Sequence, residues 1–375
     1  MSAKKIVILG SAHPLRGGLS AFNERLAYQL QAEGHEVQIY TFSLQYPNFL
    51  FPGTSQYSDE PAPENLTIKV KVNSINPFNW IKIGRELKKL RPDILIVKFW
   101  LPFMGPCFGT ILRILKRNKH TRVISILDNV IPHEKRPGDL PFTQYFLKAV
   151  DACIAMSRSV QADLKTLQAN LPCDFIPHPL YDHFGAVESN TVARQKLGIA
   201  SEDKVVLFFG FIRKYKGLDI LLEAMNDERI KAAGIKLLVA GEFYEDATFY
   251  TDLIHKYGIA SSCIMHTDFI PNSEVANYFN AADVVVQPYR TATQSGISQM
   301  AYHFEKPMVV TNVGGLPEIV PDGKVGFVTE VSAAAIAEAI LKFFSSNTAG
   351  KLVEGVKEEK KKYEWHHMSA AIFKA

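Results

Sequence analysis

Short apolar runs alternate with helical patterns along this chain, and they do so twice. In the first half the runs are IVIL (6–9), VQIYTF (37–42), LTIKVKV (66–72), ILIVKF (94–99), VISIL (123–127) and ACIAMS (152–157). In the second they are VVLFFG (205–210), KLLVAG (236–241), VVVQPY (284–289) and PMVVTN (307–312). Between them apolar residues recur at helical spacing, as in Leu19, Phe22, Leu26 and Leu30, or Leu218, Leu221, Leu222 and Met225. Strands joined by helices pair in parallel and are covered on both faces, which is why they read as continuous apolar runs. The repetition stops near FIPHPLYDHFGAVESN (175–190), where proline and polar residues replace periodicity. The pattern predicts an α/β chain of two doubly wound, Rossmann-like domains facing across a cleft, with ligands at the carboxyl ends of the strands.

The 375 residues suffice for two such cores. No apolar run reaches the roughly 18 to 20 residues that a spanning helix needs. MSAKKIVILG runs straight into a strand without the cleavage region of a signal peptide. Cys107, Cys153, Cys173 and Cys263 lie far apart with no C-x-x-C pair, against a zinc site or a disulfide framework. The expectation is a cytoplasmic protein without a bound metal. Residues 1–180 hold 22 Lys+Arg against 14 Asp+Glu, while the remainder is net acidic. A basic first half fits an anionic partner or an anionic membrane face, and equally a diffuse solvated surface; nothing points to nucleic acid.

Three loops follow apolar strands and open helices, where backbone N–H groups and the helix dipole favour an anion. In GSAHPLRGGLSAF, Gly17 and Gly18 lead into the helix of Phe22; taken alone this is a glycine turn, and its spacing is not that of a nicotinamide or flavin fingerprint. In FFGFIRKYKGLDILLEA, Arg213, Lys214 and Lys216 crowd a short loop before Gly217, and a guanidinium fork beside an ammonium suits a diphosphate. In RTATQSGISQMAYHF, Thr293, Gln294, Ser295 and the backbone at Gly296 and Ile297 offer donors without charge. Together these loops suit a phosphorylated ligand.

The order of these motifs resembles the retaining glycosyltransferases of family 4, which have the two-domain GT-B fold. RGGLSAFNERLAYQLQAEGHEVQIYT is similar to the family's glycine-rich loop and first helix. FFGFIRKYKGLDILLEAM resembles its basic loop and following helix, and AADVVVQPY with VVTNVGGLPEIVPDGKVGFV resembles its last strands and G-G-x-x-E run. The resemblance implies an acceptor-binding domain at 1–180, to which 357–375 returns, and a donor-binding domain at 181–356. It implies transfer from a nucleotide sugar, a UDP- or GDP-sugar, with no cofactor and no metal. The acceptor would be a glycan or a polyprenyl-linked precursor of an envelope or secreted polymer, reached from the cytoplasmic face of the membrane. Lys216 falls on the family's diphosphate-binding lysine; Phe211 stands where the matching arginine usually does, and Arg213 is the expected substitute. Gly17 and Gly18 match the loop that closes on the donor.

Two departures stand out. The family's pair of glutamates has no acidic counterpart, since Thr293 and Met300 occupy those places. Asp128, followed by Asn129, occupies the place of a frequent histidine near the transferred sugar, where a carboxylate can accept the acceptor proton or stabilise positive charge. His13, His133 and Glu134 are further acceptor-side candidates, while His35 and His178 read as structural. The proline-rich segment 46–63 is expected to serve acceptor recognition, and WLPFMGPCFGTILRILKRNKHTR reads as a buried helix with a solvated end. The alternatives to transfer are a non-catalytic nucleotide-sugar-binding subunit and a nucleotide-sugar epimerase or hydrolase on the same fold.

Overall fold

The computed structural model describes residues 2–47, 56–58, 61–131, 137–292, 295–345 and 348–375. They form two compact units, Met1–His178 with Trp365–Ala375, and Pro179–Glu364.

The first unit holds β1 (Lys5–Leu9), α1 (Gly18–Ala32), β2 (Glu36–Leu44), β3 (Thr67–Asn73), α2 (Pro77–Leu90), β4 (Ile94–Phe99), α3 (Gly105–Leu115), β5 (Arg122–Leu127), α4 (Asp139–Leu147), β6 (Ala152–Ala155), α5 (Arg158–Leu167) and β7 (Cys173–Phe175). Its seven strands pair in parallel in the order β3-β2-β1-β4-β5-β6-β7. The order reverses between β1 and β4, so the helices that follow these two strands cover opposite faces. Phe22, Leu26 and Leu30 of α1 pack with Ile6, Ile8 and Ile96 on one face. Phe108, Ile111 and Leu115 of α3 pack with Val7, Leu95 and Val97 on the other. The stretch around α3 is thus a buried helix, its charged residues gathered at its carboxyl end.

The second unit holds α6 (Asn190–Lys196), β8 (Lys204–Phe209), α7 (Leu218–Met225), α8 (Glu228–Ala232), β9 (Ile235–Ala240), α9 (Thr248–Tyr257), β10 (Cys263–His266), α10 (Val275–Ala281), β11 (Val284–Gln287), α11 (Gly296–His303), β12 (Met308–Thr311), α12 (Leu316–Ile319), β13 (Gly326–Thr329), α13 (Ala333–Phe344) and α14 (Thr348–Lys360). Its strands run parallel as β10-β9-β8-β11-β12-β13, reversing between β8 and β11. α7 packs on one face and α11 on the other. A crevice of this kind, beyond the carboxyl ends of strands at a reversal, is where doubly wound sheets receive ligands.

The tail divides. α14 stays with the second unit, whereas α15 (Trp365–Lys374) packs on the α1 face of the first, with Trp365, Met368 and Ile372 buried there. The part of 357–375 grouped with the first unit is therefore 365–375. Among the described residues no helix is long and apolar enough to cross a membrane.

Candidate functional site

In the second unit, β8 is buried from Val205 to Phe209 and delivers the chain to Gly210 at the reversal. Lys216, from the 3-10 turn Lys214–Lys216, folds back over that glycine: a Cβ on Gly210 would lie 2.9 Å from the Lys216 ammonium and 3.4 Å from Ile297 Cδ1. Glycine at 210 thus lets the ammonium and the start of α11 close on the strand end. Gly217 ends the turn at φ +69, and a Cβ there would stand 2.0 Å from the Pro288 carbonyl oxygen, so the loop can press against the end of β11 only as glycine.

Arg290 fixes this loop. Its guanidinium donates to both carboxylate oxygens of Asp219 in the first turn of α7, at 2.8 and 2.6 Å, and to the Lys214 carbonyl at 2.9 Å. Its backbone N–H donates to the Tyr215 carbonyl at 2.7 Å. Held in this way, Lys216 is buried. Among the described residues no carboxylate stands within ion-pair distance of it. Burial, followed by the nearby Arg213 guanidinium, lowers its ammonium to about 8. Arg213 lies over the Tyr244 ring at 4.8 Å.

Ser295 precedes α11, buried, with its hydroxyl 3.5 Å from the Tyr289 hydroxyl. The Tyr289 ring centroid lies 6.0 Å from the Lys216 ammonium. Ser298 and Gln287 exchange a hydrogen bond of 3.0 Å that ties α11 to β11. Arg213, Lys216, Ser295, Gly296 and Ile297 are thus gathered at one strand-end reversal; Thr293 and Gln294 lie outside the described residues. Beside Lys216 opens a cavity of about 220 Å³, lined among others by Gly210, Phe211, Glu242, Phe269 and Ile297. Sequence reasoning did not single out Glu242, Phe269, Arg290 or Asp219. The signal for the last two was a lone arginine after an apolar strand and an aspartate in a first helical turn, 71 residues apart.

In the first unit, Gly17 caps α1 and Gly18 begins it; both are exposed, and nothing lies within 4 Å of where a Cβ on Gly17 would be. The loop before them is fastened at several points. The His13 N–H donates to Glu24 Oε1 at 2.6 Å, and Arg16 N–H and Ser58 N–H bond the Gln56 and Pro14 carbonyls. The described part of segment 46–63 therefore braces the glycine loop. Asp128 follows β5, and its Oδ1 lies 3.3 Å from the ammonium of Lys98 in β4. That ammonium is also 3.3 Å from the centroid of Phe22, one turn into α1. Asp128 and the glycine loop are thereby linked through Lys98 and Phe22. His133 and Glu134 lie outside the described residues. His35 is buried, accepting from the Lys4 N–H at 3.2 Å and packing on Phe373. Among the described residues no group of three or more His, Cys, Asp or Glu side chains could hold a metal ion.

Two doubly wound units, each with its strand order reversing about a central strand, make up the GT-B architecture. Two family models match, one described as Glycosyltransferase Family 4 over residues 16–180 and the other as Glycosyl transferases group 1 over 189–363. The chain belongs to the family 4 glycosyltransferases. A D-inositol 3-phosphate glycosyltransferase of Segniliparus rotundus is 32% identical over 133 residues, 35% of this chain and 29% of the relative. One of Xylanimonas cellulosilytica is 24% identical over 258 residues, 63% of this chain and 60% of the relative. The chain thus matches less than two thirds of either relative. The fold is shared with Anabaena HepE, crystallised in complex with UDP, at a TM-score of 0.72 and 15% identity, covering 99% of this chain and 98% of that one.

Proposed function

We propose that the chain is a retaining glycosyltransferase that moves a sugar from a nucleoside diphosphate sugar, a UDP- or GDP-sugar, to a glycan or polyprenyl-linked acceptor in envelope or exopolysaccharide synthesis. The observation that carries this reading is the buried Lys216 ammonium, which has a second cation beside it and, among the described residues, no carboxylate within ion-pair distance. Such a charge is costly until an anion joins it. The leaving diphosphate fits that place: Lys216 and Arg213 neutralise it, the N–H groups at the start of α11 bond it, and the adjoining cavity takes the base. The charge a metal would otherwise supply comes here from the two side chains. The released diphosphate then helps to deprotonate the acceptor on the same face of the sugar, which retains configuration. In this reading Gly17 and Gly18 close on the donor, and Asp128 accepts the acceptor proton or stabilises the positively charged sugar.

A peripheral contact with an anionic membrane at its cytoplasmic face belongs to the same reading. Residues 67–122 hold thirteen Lys+Arg against two Asp+Glu. On α2, Lys82, Arg85, Lys88 and Lys89 are exposed, and at its start Phe78 is 81% and Ile75 49% exposed. Cations beside projecting apolar side chains suit an anionic lipid surface.

The neutral residues in place of the family's glutamate pair favour one second reading, a subunit that binds a nucleotide sugar without turning it over. A thermal-shift screen of UDP-, GDP-, ADP- and CMP-sugars, followed by transfer assays with the best binder, separates the two. Stabilisation with transfer supports the enzyme, stabilisation without turnover on any acceptor supports the subunit, and conversion of donor alone marks an epimerase or hydrolase.

A further inference from the structure

Lys98 stands next to last in β4, a strand buried along its whole length. The register pairs it with Ile126 of β5. Asp128, two residues further, therefore emerges on the same face of the sheet, the one covered by α1. There the ammonium is enclosed between the Asp128 carboxylate and the Phe22 ring. The two partners are unequal: the Lys98 side chain is 3% exposed and that of Asp128 21%. The carboxylate is the open member of the pair and the ammonium the closed one.

Burying an ion pair seldom stabilises a fold more than apolar side chains of the same size would. A pair kept at the strand ends where ligands bind invites another use. We infer that Lys98 is a positioning residue: it grips one oxygen of Asp128 from inside the sheet, keeping the carboxylate charged and fixed so that its other oxygen can serve the reacting sugar or acceptor hydroxyl. The inference rests on the reading of Asp128 given above. Burial pushes the Asp128 carboxyl up and the Lys98 ammonium down, and in each case the charge of the partner opposes the shift. Among the described residues no other charge contributes appreciably to either group. Of the other ionisable groups on the packed elements, Glu24 accepts the His13 N–H, Arg25 lies over Trp365 at 5.2 Å, and His178 meets the edge of Phe22 at 5.3 Å.

Carbon-13 NMR of protein labelled at the Asp carboxyl carbon tests this, with Asp128→Asn assigning the signal. In the wild type the Asp128 carboxylate is ionised at pH 7; a protonated one overturns the inference without any variant. In Lys98→Met its proton affinity rises by roughly tenfold or more, as expected when a cation within 4 Å is lost, and in Lys98→Arg it stays near the wild-type value. An unchanged titration in Lys98→Met also overturns it. Transfer assays on the same proteins address the underlying reading separately. Asp128→Asn with full turnover sinks the role of Asp128, whatever the titration shows. If both ideas hold, Lys98→Met loses turnover at neutral pH with little change in KM for donor, regains part of it as pH rises, and Lys98→Arg restores it.

Discussion

Two lysines, one in each unit, are buried near the carboxyl end of a central strand, and they differ in what faces them. Lys98 has a carboxylate at 3.3 Å and an aromatic ring beneath it. Lys216 has the Arg213 guanidinium nearby and, among the described residues, no carboxylate within ion-pair reach. In both, burial works against the charge. The fold supplies the counter-charge in the first case and, among the described residues, supplies none in the second. A buried cation with its partner built in belongs to the protein's own architecture, whereas one set beside another cation is, on the function proposed above, completed by a bound anion.

The comparison predicts opposite outcomes for the same substitution. Lys98→Met strands a largely buried carboxylate and should cost about 3–5 kcal/mol of stability at pH 7. Adding Asp128→Asn should recover most of that, as urea unfolding of both variants will show. Lys216→Met should lower turnover about 10²–10³-fold, the usual loss when a group that stabilises developing charge is removed, while leaving the empty protein at least as stable as before. Asp219→Ala releases the Arg290 fork that holds the Lys216 loop. It should cost about 1 kcal/mol of stability, the pair being partly exposed, and should raise KM for donor more than it lowers kcat. Stability also acquires a pH dependence. Lys216 titrates near 8 in the folded chain against 10.5 when unfolded, so the unfolded chain binds more protons in that window. The Lys216 contribution to stability therefore rises with pH between those values. Wild type minus Lys216→Met, measured by unfolding at pH 7 and pH 10, should show this rise.

The interior of both sheets was legible because its strands are buried on both faces and read as apolar runs. The strands absent from that reading, β7, β10 and β13, all lie at sheet edges and are three or four residues long. Every residue of CDF and CIMH is only half-buried, so neither shows the continuous apolar signal of an interior strand. The glycine and lysine loops were legible because they break strand periodicity at a fixed place. The partnership of Lys98 was not: in ILIVKF the lysine reads as the polar end of a strand. Its carboxylate lies thirty residues away in sequence and meets it only through the β4–β5 register. The Asp219–Arg290 fork was hidden for the same reason, as a contact between helix and strand end that local pattern does not encode.

The most direct measurement is the melting temperature of wild type and Lys216→Met at pH 7, each alone and with saturating UDP or GDP. A buried, incomplete cation predicts that the variant melts no lower than wild type when empty, and that the stabilisation by nucleotide seen in wild type is largely lost. A variant that is stabilised by nucleotide as strongly as wild type would contradict the assignment of Lys216 to the donor diphosphate.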